Sequence, residues 1–482
     1  MNSINSSNQK QRRFLDNFAF KSYFVAAKTL LFTIILLNYG ATGANAEPKA
    51  LRPDIQIRNI MNTVLVSPSV RIVKDPRNNT LYYLKRNGDI YQVNLSLSNS
   101  TLVYTSSNHN LGETEGMAIG PNGTIYLVGN ADLVNDQTKG IIVKGEIKSG
   151  TQQRVWSILA KSAAYPKSKT AYDHRFNGIV VSPDGNFIYV NSGSRTDHGE
   201  IQSVNGLYPN TREVGLTACI LRLPTYGKNL FLANDRAALK TAGYIFAEGI
   251  RNTFDMAFAP NGDLFGTENG PDRDMSEELN WLRQGGNYGF PWRIGGTDNP
   301  QQFYNYDPAK DLLLDLKFNA VQRGYFRNDP TFPVRPTENL IEPIPNFGPD
   351  ADKFRDPQDG KVKDASVLGQ SLSSFTAHRS PLGLVFDTQG VMSLEFNRDG
   401  FMLSFTTGDP TGETLPGPFK DSGQDLLHLN LTKVGNTNYR FNATRIVEGF
   451  SNPVDSEIIG NKIYVLEYGG NQGIWEITMP TK

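Results

Sequence analysis

Cysteine is almost absent. Cys219 is the only one in 482 residues, so no internal disulfide can form and the fold must rest on its core. It sits in the apolar run "LTACILRL", the setting of a buried, unreactive thiol. An excess of charge of one sign is missing as well. Lys+Arg and Asp+Glu are both 48, which gives nucleic acid or a strongly acidic partner no electrostatic hold. The chain has no G-x-S-x-G elbow, no G-x-G-x-x-G, no Walker loop and no H-E-x-x-H. Nicotinamide, serine-hydrolase and zincin readings therefore have no support. Long apolar runs are missing too. The clean run "TLLFTIILL", Thr29 to Leu37, falls well short of the ~20 residues of a membrane span.

That short run has a meaning of its own. Lys10, Arg12, Arg13, Lys21 and Lys28 precede it, and Ala44-Asn45-Ala46 follows. A basic region, a short apolar segment and a small-x-small site are the parts of a secretory signal peptide. Cleavage after Ala46 leaves 436 residues, with no membrane span in the mature chain. It removes five positive charges and one negative, for a mature net charge of −4. An uncleaved anchor is the alternative, if the apolar stretch is extended back to Tyr23 across Lys28.

Turns and aromatics are plentiful: Gly 45, Pro 27, Tyr 20 and Phe 27. They fall into a repeated pattern of an apolar run, a Pro/Asp/Asn/Gly turn and an alternating aromatic strand. The pattern occupies 70–84, 115–128, 177–190, 254–267, 393–405 and 454–468. Asn-Gly and Asp-Gly favour positive φ and predict two-residue hairpins at the turns. A third strand-like stretch follows each unit. Repetition of one unit predicts an all-β, six-bladed β-propeller over 47–482, a single domain whose blades hide their edges by radial packing. The turns lie 44 to 138 residues apart, against ~40–45 for compact blades, so the connections are long. The largest, about 297–377, is rich in Pro, Asp and Asn. It predicts a capping insertion with one helix-like piece, "PAKDLLLDLKFNAV". A β-sandwich pair is the structural alternative.

Three stretches carry chemistry. "TENGPDRDMSEELNWLRQGGNYGFP", 267–291, gathers Glu268, Asp272, Asp274, Glu277 and Glu278 beside glycines. Such carboxylates repel unless something positive sits among them, and calcium takes six to eight oxygens from carboxylates and carbonyls. Glu277 stands where an EF-hand needs glycine, so this is no EF-hand; a solvated acidic loop is the plain alternative. "AYDHRFNG" places Asp173 beside His174, and a neighbouring carboxylate can orient an imidazole as a base. "AEGIRNTFDM" places Arg251 and Asn252 before the fourth unit's strand, as His174 stands before the third's. In a propeller such strand-leading positions cluster at one mouth of the channel. A packed histidine and an exposed turn arginine are the structural alternatives.

Together "DH…NGIVVSPDGNFIYVNSG", "GIRN…FAPNGDLFGTENGP" and "EELNWLRQGGNYGFPW" resemble the glucose/sorbosone dehydrogenase family, exported six-bladed propellers that use pyrroloquinoline quinone (PQQ). The likeness runs from about 60 to 479 and is most specific at 249–291. It implies a PQQ- and calcium-dependent oxidation of a sugar (aldose) hydroxyl by hydride transfer to the quinone, and an electron acceptor the motifs do not encode. His174 matches the catalytic base and Asp173 the acid beside it, at the substrate. Arg251 and Asn252 match the pair at the quinone, Arg251 also stabilising developing charge. Gly270 and Pro271 match two carbonyl donors to the calcium at PQQ, and Glu278 and Tyr288 ligands of a second, structural calcium. The chain departs in three places. Thr253, Phe254 and Asp255 follow Arg-Asn where the family has Pro-Gln-Gly. The spacing from Gly270 to Glu278 is two residues longer. The fifth and sixth units lack basic residues for the PQQ carboxylates, leaving Arg379, Arg398 and Lys420 as substitutes. Two other functions fit the architecture: a non-redox propeller binding carbohydrate or protein, and a calcium-dependent sugar lactone hydrolase.

Overall fold

The computed structural model describes residues 47–482 apart from 152, 169, 171, 407–417 and 422. The predicted signal segment lies outside the described residues. The strands fall into antiparallel sheets that follow one another along the chain. Ser69–Asp75, Thr80–Lys85, Ile90–Asn94 and Asn99–Tyr104 pair in that order. Thr114–Ile119, Ile125–Leu133, Gln137–Ile147 and Arg154–Ser162 make the next sheet, and Phe176–Val181, Phe187–Ser192, Cys219–Pro224 and Ile245–Glu248 the one after. A three-stranded sheet, Thr253–Phe258, Leu264–Glu268 and Glu278–Leu282, precedes Pro381–Phe386, Gly400–Ser404, Leu426–Val434 and Asn438–Glu448. The last sheet takes Pro453–Ile459, Lys462–Glu467 and Gly473–Thr478, and adds Gln56–Asn62 from the start of the chain as its outer strand.

The leading strands pack side by side in a closed cycle, with Ser69–Asp75 between Thr114–Ile119 and Pro453–Ile459. This is the all-β propeller that the repeats predict. The core lies between neighbouring sheets, where Phe176, Ile179 and Val190 meet Ala118, Tyr126 and Ile142. Packing there is close: a Cβ on Gly140 would stand 2.5 Å from the Phe176 ring.

The turns differ from the sequence expectation. Of the six repeat turns, only Gly460-Asn461 is a two-residue connection, with Ile459 opposite Lys462. The Pro-Asn-Gly and Pro-Asp-Gly turns are longer. Asn122, Asp184 and Asn261 each accept a hydrogen bond from the backbone N–H two residues on, at 3.0, 3.0 and 3.1 Å. Gly123, Gly185 and Gly262 follow at φ +82°, +73° and +86°. The Asx side chain and the positive-φ glycine together close a wider loop than a two-residue turn.

The fifth repeat is also displaced. Its leading strand is Pro381–Phe386, and the "SLEF" of 393–396 forms a turn instead. Phe396 is fully buried as a plug against Phe401 and His428. The stretch 308–321 is not one helix: it holds a 3-10 turn at Pro308–Lys310 and reaches a short helix only at Asn319–Gln322. Asp307, Asp311 and Asp315 each capture the N–H two residues ahead, at 3.1, 3.1 and 2.8 Å. That local bonding competes with helix propagation.

Candidate functional site

The site is built at the leading ends of the third and fourth sheets. His174 and Arg251 are both tied to the Gly193-Ser194 turn that follows Phe187–Ser192. The His174 N–H donates to the Ser194 carbonyl at 3.0 Å, and the Ser194 N–H donates to the Arg251 carbonyl at 2.7 Å. Gly193 makes this approach possible, since a Cβ there would lie 2.5 Å from the His174 Cβ. The His174 Nδ1 faces the Ser194 carbonyl at 3.1 Å and its hydroxyl at 3.3 Å. A carbonyl only accepts, so Nδ1 carries the proton and Nε2 is left with its lone pair. Burial, and next the Arg251 charge, push the imidazole down to about 3, so it is neutral near pH 7.

Arg251 is 3% exposed. Its Nε donates to the Asp197 carbonyl at 2.8 Å, Nη2 to Asp197 Oδ1 at 2.9 Å and Nη1 to the Asn269 carbonyl at 3.0 Å. Two of its five N–H groups remain for a ligand oxygen. Asn252 is braced by amides: it accepts from Asn177 at 2.8 Å and donates to Asn269 Oδ1 at 2.7 Å. Asn177 also donates to the His174 carbonyl at 3.2 Å. His174, Arg251, Asn252 and the backbone at Asn269–Gly270 thus converge on one mouth. Asp173 stands apart from the imidazole. Its Oδ2 accepts from the Ser168 N–H at 2.8 Å, while Oδ1 is buried with no partner among the described residues. Burial pushes it up to about 6.

The acidic loop is held largely by partners within the protein. Asp274 meets His378 Nε2 at 2.8 Å and Arg355 Nη1 at 3.0 Å. Asp272 accepts from the Tyr172 hydroxyl and the Ala320 N–H. Glu268 and Glu278 stand opposite each other on adjacent strands. Burial, then the Glu278 charge, hold Glu268 well above the carboxylate range, and burial pushes Glu278 up to about 7. Glu278 accepts from the Gly295 N–H at 2.6 Å and from Asn280 at 2.8 Å. The Tyr288 hydroxyl bonds at Trp281 and Arg283, toward the other end of the Glu278 strand, and the structure shows no contact joining the two. The Pro271 carbonyl accepts from the Arg273 N–H at 2.8 Å. Glu277 differs from its neighbours. Its Oε1 faces the Gly270 N–H at 3.4 Å, and Oε2 is buried with no partner among the described residues. Burial raises it to about 7. No group of three or more His, Cys, Asp or Glu side chains able to hold a metal occurs among the described residues. A cation at this loop would therefore rest mainly on carbonyl oxygens.

Of the three basic substitutes, Arg379 is spent and Arg398 remote. Arg379 is fully buried, with Asp421, Asp425 and Ser404 as partners. Arg398 lies in the turn between Pro381–Phe386 and Gly400–Ser404, at the end of that sheet away from the strand-leading positions. Lys420 is exposed, and its carbonyl accepts from Lys353 at 3.2 Å. Phe254 lies under the Arg71 guanidinium, 4.0 Å from its ring centroid, and its carbonyl accepts from Arg71 at 2.7 Å. Arg71 also bonds the Glu115 carbonyl at 3.0 Å, so it bridges the second and fourth sheets from the first.

A second Asp-His pair belongs to the site and was not singled out from the sequence. Asp197 and His198 are 0% and 1% exposed. His198 Nδ1 meets Asp197 Oδ2 at 2.8 Å, and Nε2 meets the Tyr325 carbonyl at 3.4 Å. Both nitrogens face acceptors, so both carry protons. Burial opposes that charge, but Glu200 and Asp197 outweigh it and raise His198 above a free histidine. The imidazole stacks on Phe326 of the insertion, with centroids 3.8 Å apart and planes 13° apart. The signal was the repeat of Asp-His in "TDHGE".

Residues 79–309 match the family model described as Glucose / Sorbosone dehydrogenase. The quinoprotein glucose dehydrogenase B of Acinetobacter calcoaceticus is 34% identical over 173 residues, 33% of this chain and 34% of that protein; the chain thus spans about a third of that relative's length. Among solved structures, the soluble aldose sugar dehydrogenase of Escherichia coli superposes with a TM-score of 0.53 at 13% identity, covering 88% of this chain and 99% of that one. The PQQ domain of pyranose dehydrogenase from Coprinopsis cinerea gives 0.52 at 12% identity, covering 91% and 98%. At such identities these two show the fold. The family that the motifs resemble and the family named by the match over 79–309 are the same, the glucose/sorbosone dehydrogenases.

Proposed function

We propose that the protein is an exported, PQQ- and calcium-dependent dehydrogenase of a sugar (aldose) hydroxyl. The observation that carries this reading is the neutral His174, its Nε2 unprotonated, held on the same turn as Arg251. At the quinone end the residues fit the cofactor. Arg251 keeps two N–H groups for its oxygens, and Asn252 is fixed beside it. The buried Glu277 oxygen next to Gly270, which has no partner among the described residues, suits a cation held by the Gly270 and Pro271 carbonyls. Glu278 and Tyr288 are the proposed ligands of a second, structural cation. When bound, PQQ supplies the two-electron acceptor for the hydride.

The chain's own residues perform the rest. His174 Nε2 takes the proton of the sugar hydroxyl, a task its neutral form meets. Asp173 binds the sugar beside it. Arg251 presents a fixed positive group where negative charge develops. The insertion excludes water by packing Ala320 and Phe326 against Tyr172. The count of six blades, the single domain over 47–482 and a signal cleaved after Ala46 belong to the same reading. The cycle of leading strands and the basic-apolar-small pattern support them. No helix among the described residues is long and apolar enough to cross a membrane.

One observation favours a second reading, a propeller that binds carbohydrate or protein without redox chemistry. Arg379 is spent on Asp421 and Asp425 and Arg398 lies at the far end of its sheet, and a buried anion short of cationic partners is costly. The lactone-hydrolase reading needs a metal held by side chains, and no such cluster occurs among the described residues. Reconstitution separates the first two. Adding PQQ and calcium to the purified protein gives bound-quinone absorbance and dye reduction with an aldose. Silence in both leaves the binder.

A further inference from the structure

Arg251 is held less by its own sheet than by one dipeptide. Of the three N–H groups it donates within the protein, two go to Asp197, one to the carbonyl and one to Oδ1. Asp197 in turn uses Oδ2 for His198 and receives the Asp272 N–H at 3.1 Å. Outside its own turn, His198 leans on the insertion and its approach. Its ring lies on Phe326, Nε2 meets the Tyr325 carbonyl, and its carbonyl accepts from Asn299 at 2.7 Å. The turn fits without slack. Gly199 sits at φ +94°, and a Cβ there would stand 2.5 Å from the Pro291 Cβ and 3.3 Å from the Phe332 ring.

We propose that Asp197 and His198 are positioning residues that carry the seating of the capping insertion to Arg251, so that the guanidinium keeps one pose only while Phe326 lies on His198. The physical reason is the chain of buried charges. Arg251, Asp197 and His198 alternate in sign with almost no solvent between them. A carboxylate shared by two buried cations cannot turn away from one without weakening its hold on the other. An insertion that lifts Phe326 frees the His198 ring, then the Asp197 carboxylate, then the guanidinium. The idea rests on the proposed role of Arg251 at the cofactor.

The test reads Arg251 directly in the cofactor-free protein, by hydrogen exchange of the arginine Nε–H groups in protein labelled with nitrogen-15 arginine. Arg251→Lys assigns the signal. Phe326→Ala touches neither Arg251 nor Asp197, and it is expected to speed Arg251 Nε–H exchange about tenfold, the loss of one net hydrogen bond. Phe326→Tyr restores the slow rate, and Asp197→Asn speeds exchange at least as much as Phe326→Ala. Arg195, fully buried with its Nε on the Pro166 carbonyl at 3.0 Å, is the internal control and keeps its rate. Unchanged Arg251 exchange in Phe326→Ala overturns the proposal, and so does equal acceleration of Arg195, which marks general loosening. If Asp197→Asn does not fold, the two Phe326 variants decide alone. PQQ titration of the same samples separates the two ideas. A parent that binds no PQQ refutes the cofactor reading, while the Arg251 rates still decide the linkage.

Discussion

The molecule contains the same two residues, aspartate then histidine, in two neighbouring turns, with opposite results. His174 offers one nitrogen to a carbonyl and leaves the other bare, so it is neutral. His198 offers both to acceptors, so it is charged. Asp173 turns from its histidine to the Ser168 N–H, whereas Asp197 grips its own. What an Asp-His pair does is therefore decided by what the second ring nitrogen meets, and adjacency in sequence says nothing about that.

The comparison can be broken most sharply at His174. His174→Ala is expected to lower kcat by about 10²–10⁴, measured as dye reduction by the PQQ- and calcium-loaded protein. A variant at the parent rate would sink the assignment of the base. His198→Gln removes a buried cation instead and is expected to cost about 1.5–3 kcal/mol of stability in acid. His198 titrates above the free value of 6.5, so its stabilisation is complete below that pH and fades as pH rises through the folded value. Denaturant unfolding of parent and variant at a series of pH values checks this, and a gap that widens in base contradicts the charge.

Asp173→Asn distinguishes substrate binding from orientation. With its carboxylate turned from the imidazole, the expected result is a KM for the sugar raised several-fold with kcat nearly kept. A fall in kcat matching that of His174→Ala would mean that Asp173 orients the base after all. The smallest effect is a flat one. His174, pushed down to about 3, stays unprotonated as pH falls from 8 to 5, so kcat shows no histidine titration in that range. An inflection above 6.5 in the parent, absent from His198→Gln, would move the titrating group to the second pair.

Most of the sheet order was legible because each hairpin carries its own turn residues, Pro-Asx-Gly in three of the six, and those residues act within a few positions of themselves. The convergence of His174 with Arg251 was legible for the same reason: both stand just before a leading strand. The fifth repeat misled because "SLEF" alternates like a strand, while the true strand, "PLGLVF", opens on proline and contains glycine. The supposed helix at 308–321 failed because its aspartates bond their own backbone. The role of His198 was out of reach, since Tyr325 stands 127 residues further along the chain and no local pattern couples them. Arg379 looked free in sequence because Asp421 and Asp425, which enclose it, stand 42 and 46 residues further along the chain.

The strand Gln56–Asn62 pairs with Gly473–Thr478, which joins nearly the first described residues to nearly the last. A ribosome delivers the first of these strands long before the second exists. Until then Gln56–Asn62 has no partner edge, and the earlier sheets stand as an open arc. Final assembly therefore waits on synthesis of Gly473–Thr478, and a chain without that strand loses the clasp that makes the arc a ring.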